Sequence, residues 1–195
     1  YDADKINKEI IVRSSKPGEN FTALDNKNYK LLGNMCAITD KSGVLGLGGI
    51  IGGDRSSTEF NTKNILLEAA YFYPSSIRKT ANILNIDTDA KYRFERGIDP
   101  NSITEGLQMA ANLILNICGG EASKFSFSGK SKVQKKTMTI ENTKFKKTIG
   151  ISISRNETKK IFNSLGFKVK NVKKSMKVEI PSWRPDITSE IDLIE

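Results

Sequence analysis

Charge is spread over this chain too unevenly for one uniform domain. Residues 1–120 carry 14 basic and 14 acidic side chains, whereas residues 121–195 carry 17 and 8. The whole formal excess of +9 therefore sits in the C-terminal part. Such asymmetry suggests two modules, the second either suited to a polyanion such as RNA or simply coated with solvated lysines. The stretch EASKFSFSGKSKVQKK (121–136) has little periodicity and many small or charged residues. It places a boundary between a first module over 1–125 and a second over 126–195.

With 37% hydrophobic and 27% charged residues, the chain reads as globular rather than disordered. No apolar run approaches the roughly 18 residues of a membrane span, so no membrane partner is expected. The polar start YDADKINKEI is not a secretory signal, and the missing initiator Met suggests a piece of something longer. Cys36 and Cys118 stand far apart without metal spacing, as reduced thiols of a cytosolic protein would. The chain has no histidine, which together with only these two cysteines excludes a structural zinc site, and which removes the commonest general base.

Apolar patterning predicts an α+β fold: a mixed-sheet first module followed by a small helix-plus-hairpin domain. Strands are expected at EIIVR (9–13), MCAITD (35–40) and VLGLGGII (44–51), the last two joined by a turn over 40–43. KPGENFTALDNKNYKL reads as a hairpin turning at Asp25–Asn26. NILLEAAYF (64–72) reads as another strand, or as the start of a helix. Pro74 opens a helix, and a longer one covers 101–118, with Ile103, Leu107, Ala110, Leu113, Ile114 and Ile117 at helical spacing before Gly119-Gly120. In the second module, Ser154-Arg155-Asn156-Glu157 has the capping-box pattern, heading a helix that turns Ile161, Phe162 and Leu165 inward. FKVKNV and MKVEIP alternate as a half-buried hairpin.

Candidate chemistry is sparse. GLGGIIGGD (46–54) gives GxGxxxG rather than a dinucleotide fingerprint, leaving a turn where backbone approaches another strand or a ligand. Glu68 lies in an apolar run, so its carboxylate either lines a pocket, with Leu66 and Ala70 on its face, or meets water or a structural arginine. TDAKYRFERGIDP (88–100) packs charges around Tyr92 and Phe94. Arg93, Glu95 and Arg96 there suggest a local ion-pair network, while Thr88 and Ala90 are small enough to border a cavity. Asp186, Glu190, Asp192 and Glu195 either hold magnesium or line the first turn of a helix.

Taken together, YDADKI, GLGGIIGGD, NILLEAAYF, TDAKYRFERGIDP, ICGGEAS, SLGFKV and PSWRPDI…EIDLIE resemble the β subunit of bacterial phenylalanyl-tRNA synthetase, in its order and at its approximate spacing. The resemblance implies a piece of an α₂β₂ ligase that uses ATP, magnesium, phenylalanine and phenylalanine tRNA, with the α subunit as partner and the cytoplasm as its place. In that family the first module hydrolyses tyrosine wrongly attached to phenylalanine tRNA. By resemblance, Glu68 receives the tyrosine hydroxyl, Thr88 and Ala90 line the editing pocket, and Gly52 belongs to its glycine-rich wall. The family's pocket histidine precedes the tyrosine matched by Tyr1 and lies outside this chain, and synthetic activity is not expected of the chain alone. The second module resembles a small helix-turn-helix-like domain of the winged-helix, DNA-binding kind. Asp186, Asp192 and Glu195 match the family's magnesium motif at the α-subunit interface. The alternative from another class is a non-catalytic basic RNA- or DNA-binding or scaffolding module.

Overall fold

The computed structural model describes residues 1–129 and 135–195, so part of the expected linker, at 130–134, lies outside the described residues. Two compact units emerge: Tyr1–Ile98 with Ile103–Ser123, and Asp99–Ser102 with Lys124–Glu195.

The first unit is organised by a sheet in the order β1 (Ile11–Ser14), β4 (Cys36–Asp40), β5 (Gly43–Leu47) and β6 (Ile51–Gly52). Between β1 and β4 the chain forms the hairpin β2 (Asn20–Thr22) and β3 (Asn28–Lys30), which turns through Asn26 at φ 62°. Every strand pair among the described residues is antiparallel, which corrects the expectation of a mixed sheet. Successive strands follow one another through tight turns, and parallel pairing would need a crossover of about a dozen residues.

The inner faces of these strands supply Phe21, Tyr29, Leu31, Val44 and Leu47 to one core, which Ile77 and Ala81 of α1 (Pro74–Leu84) complete. Pro74 occupies the first turn of α1, where a missing N–H costs nothing, and Asn85 ends it in the left-handed conformation. α2 (Asp89–Phe94) is one short turn capped by Thr88. α3 (Ile103–Cys118) stops at Gly119, φ 71°, as expected. Its apolar stripe is less covered than its periodicity implies: no α3 residue is buried, and Met109, Leu113 and Ile117 are exposed.

The second unit is a three-stranded antiparallel sheet, β7 (Lys136–Glu141), β9 (Ser175–Ile180) and β8 (Lys168–Val172) in spatial order, with α4 (Asn142–Ile149), α5 (Arg155–Ser164) and α6 (Glu190–Ile194). The expected hairpin is present as β8–β9, with Val169, Met176, Val178 and Ile180 buried. Two elements go beyond the expected helix plus hairpin: the strand β7 and the helix α4. On α5, Thr158 and Phe162 face the core, while Ile161 and Leu165 are exposed, correcting the face assigned from sequence. Phe162 tilts against Phe145 and Phe167, and that aromatic cluster sets the helix rotation. Half of the expected capping box forms: the Glu157 N–H donates to Ser154 Oγ.

The β4–β5 turn is held by a carboxylate with no solvent exposure, that of Asp40. Its oxygens accept from the N–H groups of Ser42 (2.8 Å), Gly43 (3.1 Å) and Asn7 (2.9 Å). Arg55 closes a fork on it at 2.7 and 3.0 Å. The Arg55 guanidinium foremost, with these backbone donors, pulls the Asp40 carboxyl down to about 2. Because this lies below the ~3.9 of an unfolded aspartate, its stabilisation is complete above about pH 5 and fades as pH falls through about 4 towards 2. Asp40→Asn should therefore cost roughly 2 kcal/mol in urea unfolding at pH 7, with the gap to the parent chain closing near pH 2. A gap independent of pH would contradict this account of the turn.

Candidate functional site

The first unit contains a cavity of about 260 Å³, and its walls come from three separate stretches. One is the β5–β6 hairpin, where Gly46 pairs with Gly52 and Leu47 with Ile51. Gly49, at the turn, has φ +69°, and a Cβ there would stand 2.9 Å from Phe72 Cδ2 and 3.1 Å from Phe94 Cγ. At Gly46 a Cβ would meet the Ile51 carbonyl oxygen at 2.9 Å. The glycines thus let backbone approach backbone and two aromatic rings, while Gly46, Gly49 and Gly52 also line the cavity.

The second wall is the segment over 64–72. Tyr1 and Leu66 exchange two backbone hydrogen bonds of 3.0 Å each, and the Ala3 N–H donates to the Asn64 carbonyl at 2.9 Å. Beyond Leu66 the backbone forms no strand, so the expected strand is reduced to one isolated bridge, Asp2 with Ile65. The expected alternation is broken at Glu68, which is exposed, and Glu68, Ala69 and Ala70 in succession line the cavity, whereas Leu66 does not. Leu66, Ala70 and Phe72 are half-buried, and Ile65, Leu67 and Tyr71 are exposed. Phe72 packs edge-on against Phe94 of the third wall, with centroids 5.4 Å apart.

Glu68 reaches this cavity at its exposed rim. Neither water alone nor an arginine is its partner: the Tyr1 hydroxyl donates to Glu68 Oε2 at 2.6 Å. Burial, then the Glu68 charge, then this bond push the Tyr1 phenol far above its ordinary value, so it stays a protonated donor. Sequence reasoning missed Tyr1, because the pair is 67 positions apart and no local pattern marks it. Cys36, half-buried and also facing Glu68, is pushed up by burial first, which leaves a protonated and unreactive thiol.

The third wall is α2. Ala90 lines the cavity. Thr88 is not among the lining residues; its hydroxyl donates to the Ile50 carbonyl at 2.7 Å and accepts from the Lys91 N–H at 3.1 Å. It ties the glycine hairpin to the helix that carries Ala90 and Phe94. Gly52 borders the cavity and abuts Leu24, whose Cδ1 a Cβ would meet at 3.1 Å. The expected ion-pair network exists with altered membership. Glu95 pairs with Arg96 (3.1 Å), Lys91 (3.6 Å) and Arg78 (4.0 Å), whereas Arg93 is exposed and outside it.

The acids of the second unit are engaged separately. Asp186 takes a fork from Arg184, and Glu190 pairs with Lys144. Asp192 accepts from the N–H groups of Thr188 and Ser189, each at 2.7 Å, capping α6; these donors foremost hold it at about 2. Among the described residues no three acids, with Glu195 included, come together as a cation site. As arranged, Asp192 serves the start of α6, while Asp186 and Glu190 are held by Arg184 and Lys144.

What the first-unit cavity offers chemically is an apolar, aromatic-and-glycine floor beneath one carboxylate that can only accept hydrogen bonds. Comparison with known proteins locates it. Residues 1–119 match the B3/4 domain family, and residues 138–195 match the tRNA synthetase B5 domain. The chain belongs to the B3/4 domain family. A phenylalanine–tRNA ligase β subunit from Mesorhizobium japonicum is 36% identical over 195 residues, covering 100% of this chain and 24% of that protein. One from Rhodospirillum rubrum is 39% identical over 197 residues, covering 100% and 25%. The chain thus spans about a quarter of the length of the curated relatives it matches. A solved N-terminal fragment of a phenylalanyl-tRNA synthetase β subunit from Pyrococcus horikoshii aligns over 100% of this chain and 56% of its own, at 16% identity and TM-score 0.49, too slight a likeness to carry weight. The kinship read from YRFERG and PSWRPDI therefore holds along the whole chain. The cavity lies wholly within the B3/4 region, and the acids of α6 lie in the B5 region.

The glycine wall makes a testable distinction. Gly49→Ala combines a left-handed backbone with contacts to Phe72 and Phe94, and should cost about 2–4 kcal/mol in urea unfolding. Gly18→Ala, at φ +88° with nothing within 4 Å of the new methyl, should cost only about 1–2 kcal/mol. Equal losses would mean that aromatic crowding at Gly49 contributes nothing.

Proposed function

We propose that the B3/4 cavity selects a phenol-bearing aminoacyl group, and that its work is hydrolytic editing of tyrosine misattached to phenylalanine tRNA, within the β subunit of a phenylalanine–tRNA ligase. One observation carries this reading: a phenol, that of Tyr1, already donates to Glu68 at 2.6 Å beside an aromatic-and-glycine cavity. The cavity volume lies just below the roughly 300–1,000 Å³ of drug-sized ligand sites, a scale that suits one aromatic side chain. Glu68 would accept from tyrosine's hydroxyl, and phenylalanine, lacking it, would leave the carboxylate unanswered. Ala90 and the glycine wall would shape the ring's slot. Thr88 would act through its bond to the Ile50 carbonyl, positioning that wall. With no histidine in the chain and a protonated Cys36, water is the nucleophile to be positioned against the ester.

In the full assembly we infer an α subunit as partner, phenylalanine tRNA as substrate, ATP and magnesium as the ligase's requirements, and the cytoplasm as its place. Magnesium would need donors arranged otherwise than Asp186, Asp192 and Glu195 are here. The second unit reads as helix-turn-helix-like, because α4 and α5 precede the β8–β9 hairpin; that likeness concerns fold and not nucleic-acid contact.

The test is deacylation of tyrosyl- and phenylalanyl-tRNA(Phe) by the intact ligase bearing this segment. Glu68→Ala should reduce the preference for the tyrosyl ester by about tenfold or more, since an unpaired acceptor costs about 1–3 kcal/mol. An unchanged preference would sink the editing reading and leave a non-catalytic RNA- or DNA-binding or scaffolding role.

A further inference from the structure

The second unit carries a groove of about 520 Å³ that the editing reading does not use. Lys135, Lys136, Lys168 and Arg184 line it with a single carboxylate, Glu179. At its edge stands Trp183, the chain's one tryptophan, 56% exposed. The indole is seated rather than loose. Gly166, at φ +84°, has no Cβ, and one added there would stand 2.8 Å from Trp183 Cζ2. A large aromatic ring is thus held half in solvent beside a row of cations.

The groove continues onto the solvent face of the sheet. Lys168 pairs across the strands with Glu179, and in the next row Lys170 stands directly opposite Lys177, both exposed. Like charges in register across strands are destabilising, so the free protein bears a cost there that a polyanion would relieve. Not all the cations are free: Arg184 is forked onto Asp186, Lys136 donates to the Ile187 carbonyl at 2.5 Å, and Lys135 lies 3.9 Å from Glu179. Lys168, Lys170 and Lys177 have no ion-pair partner among the described residues.

We propose that this groove and face bind single-stranded RNA, one unpaired base stacking on Trp183 while successive phosphates follow Lys168, Lys170 and Lys177. A stacking platform joined to a cationic track is the arrangement by which single strands are held without sequence readout, since every base presents a π-face. An acidic peptide would satisfy the lysines but has no use for a seated, half-exposed indole. A rigid duplex could meet the lysines, yet its bases stay stacked on one another. The inference stands apart from the editing reading, because it involves none of the B3/4 residues.

The single tryptophan makes the chain its own reporter. Titrated with a ten-nucleotide single-stranded RNA at low salt, the chain should show saturable quenching of Trp183 fluorescence. Trp183→Ala should weaken binding by about tenfold or more, followed by anisotropy of labelled RNA, with Trp183→Phe retaining part of the affinity. The double variant Lys170→Ala with Lys177→Ala should flatten the dependence of log K on log salt by about 1.4, the value for two phosphate contacts on a single strand. Far-UV spectra unchanged from the parent chain would confirm that each variant folds. A blunt RNA duplex or polyglutamate of equal charge that binds as tightly, with affinity indifferent to Trp183→Ala, overturns the proposal in favour of a general polyanion or acidic-protein surface. So does the absence of quenching at saturating RNA.

Discussion

The first unit depends on backbone approaching backbone where side chains would not fit. Gly53 donates to the Leu45 carbonyl at 2.6 Å, and a Cβ on Gly53 would sit 2.6 Å from that same oxygen. A few residues earlier, Gly48 would drive a Cβ to 2.5 Å from Phe72 Cε1. The short β5–β6 hairpin can therefore fold flat only with glycine at these points. Flattening the hairpin brings Phe72 and Phe94 over it, and the space left between rings, hairpin and α2 is the cavity. Cavity and core share one cause, while the polar group, Glu68, sits on a segment with little backbone pairing.

That segment is positioned from far away. The exchange of hydrogen bonds between Tyr1 and Leu66 brings the Tyr1 ring to Glu68 two residues on. The neighbouring pairs reinforce it: Asp2 accepts from Thr62, and Lys5 reaches both Glu59 and the Ser57 carbonyl. The Thr62 hydroxyl foremost keeps the Asp2 carboxyl below its usual range, so this clasp is anionic at neutral pH. The polar clasp holds in register what hydrophobic packing does not, since Ile65, Leu67 and Tyr71 remain exposed.

How much of this the sequence disclosed follows from the range of the forces involved. The hairpins at Asp25–Asn26, at 40–43 and between β8 and β9 were legible because alternation and turn residues are local signals. So was the stop of α3 at Gly119. Missed were β7, hidden in a lysine-rich stretch with one fully buried residue, Ile140, and α4, which offers Phe145 as its one buried residue. The face of α5 was misjudged because Ile161, Phe162 and Leu165 are all apolar, and only the Phe145–Phe162–Phe167 cluster selects among them. In the site, motif resemblance pointed to Glu68, Ala90 and Gly52, but Tyr1 as partner of Glu68 needed the fold. The membership of the Glu95 network likewise could not be read from YRFER, since Arg78 arrives from α1.

The two units solve opposite problems with the charge that sequence composition divides between them. In the first, acids and bases are equal in number; Asp40 is drawn inward on Arg55 and the half-buried Glu19 is forked by Arg13, each held near 2 by its arginine. Such groups fix turns because a buried charge tolerates no alternative geometry. In the second, the core of Ile140, Phe162, Met176, Val178 and Ile187 is almost wholly apolar, and the lysines are left outside, Lys170 and Lys177 directly opposite each other. Repulsion of that kind adds nothing to folding, so the hydrophobic core and the aromatic cluster of the second unit carry most of its stability, beside surface pairs such as Arg184–Asp186 and the Asp192 cap of α6. A surface that weakens its own fold slightly, beside a tryptophan seated on a glycine, is better explained by a charged neighbour than by solvent. The neutral balance of the first unit needs no such neighbour, and the carboxylate at the rim of its aromatic-and-glycine cavity, Glu68, is met instead from within the unit by the Tyr1 hydroxyl.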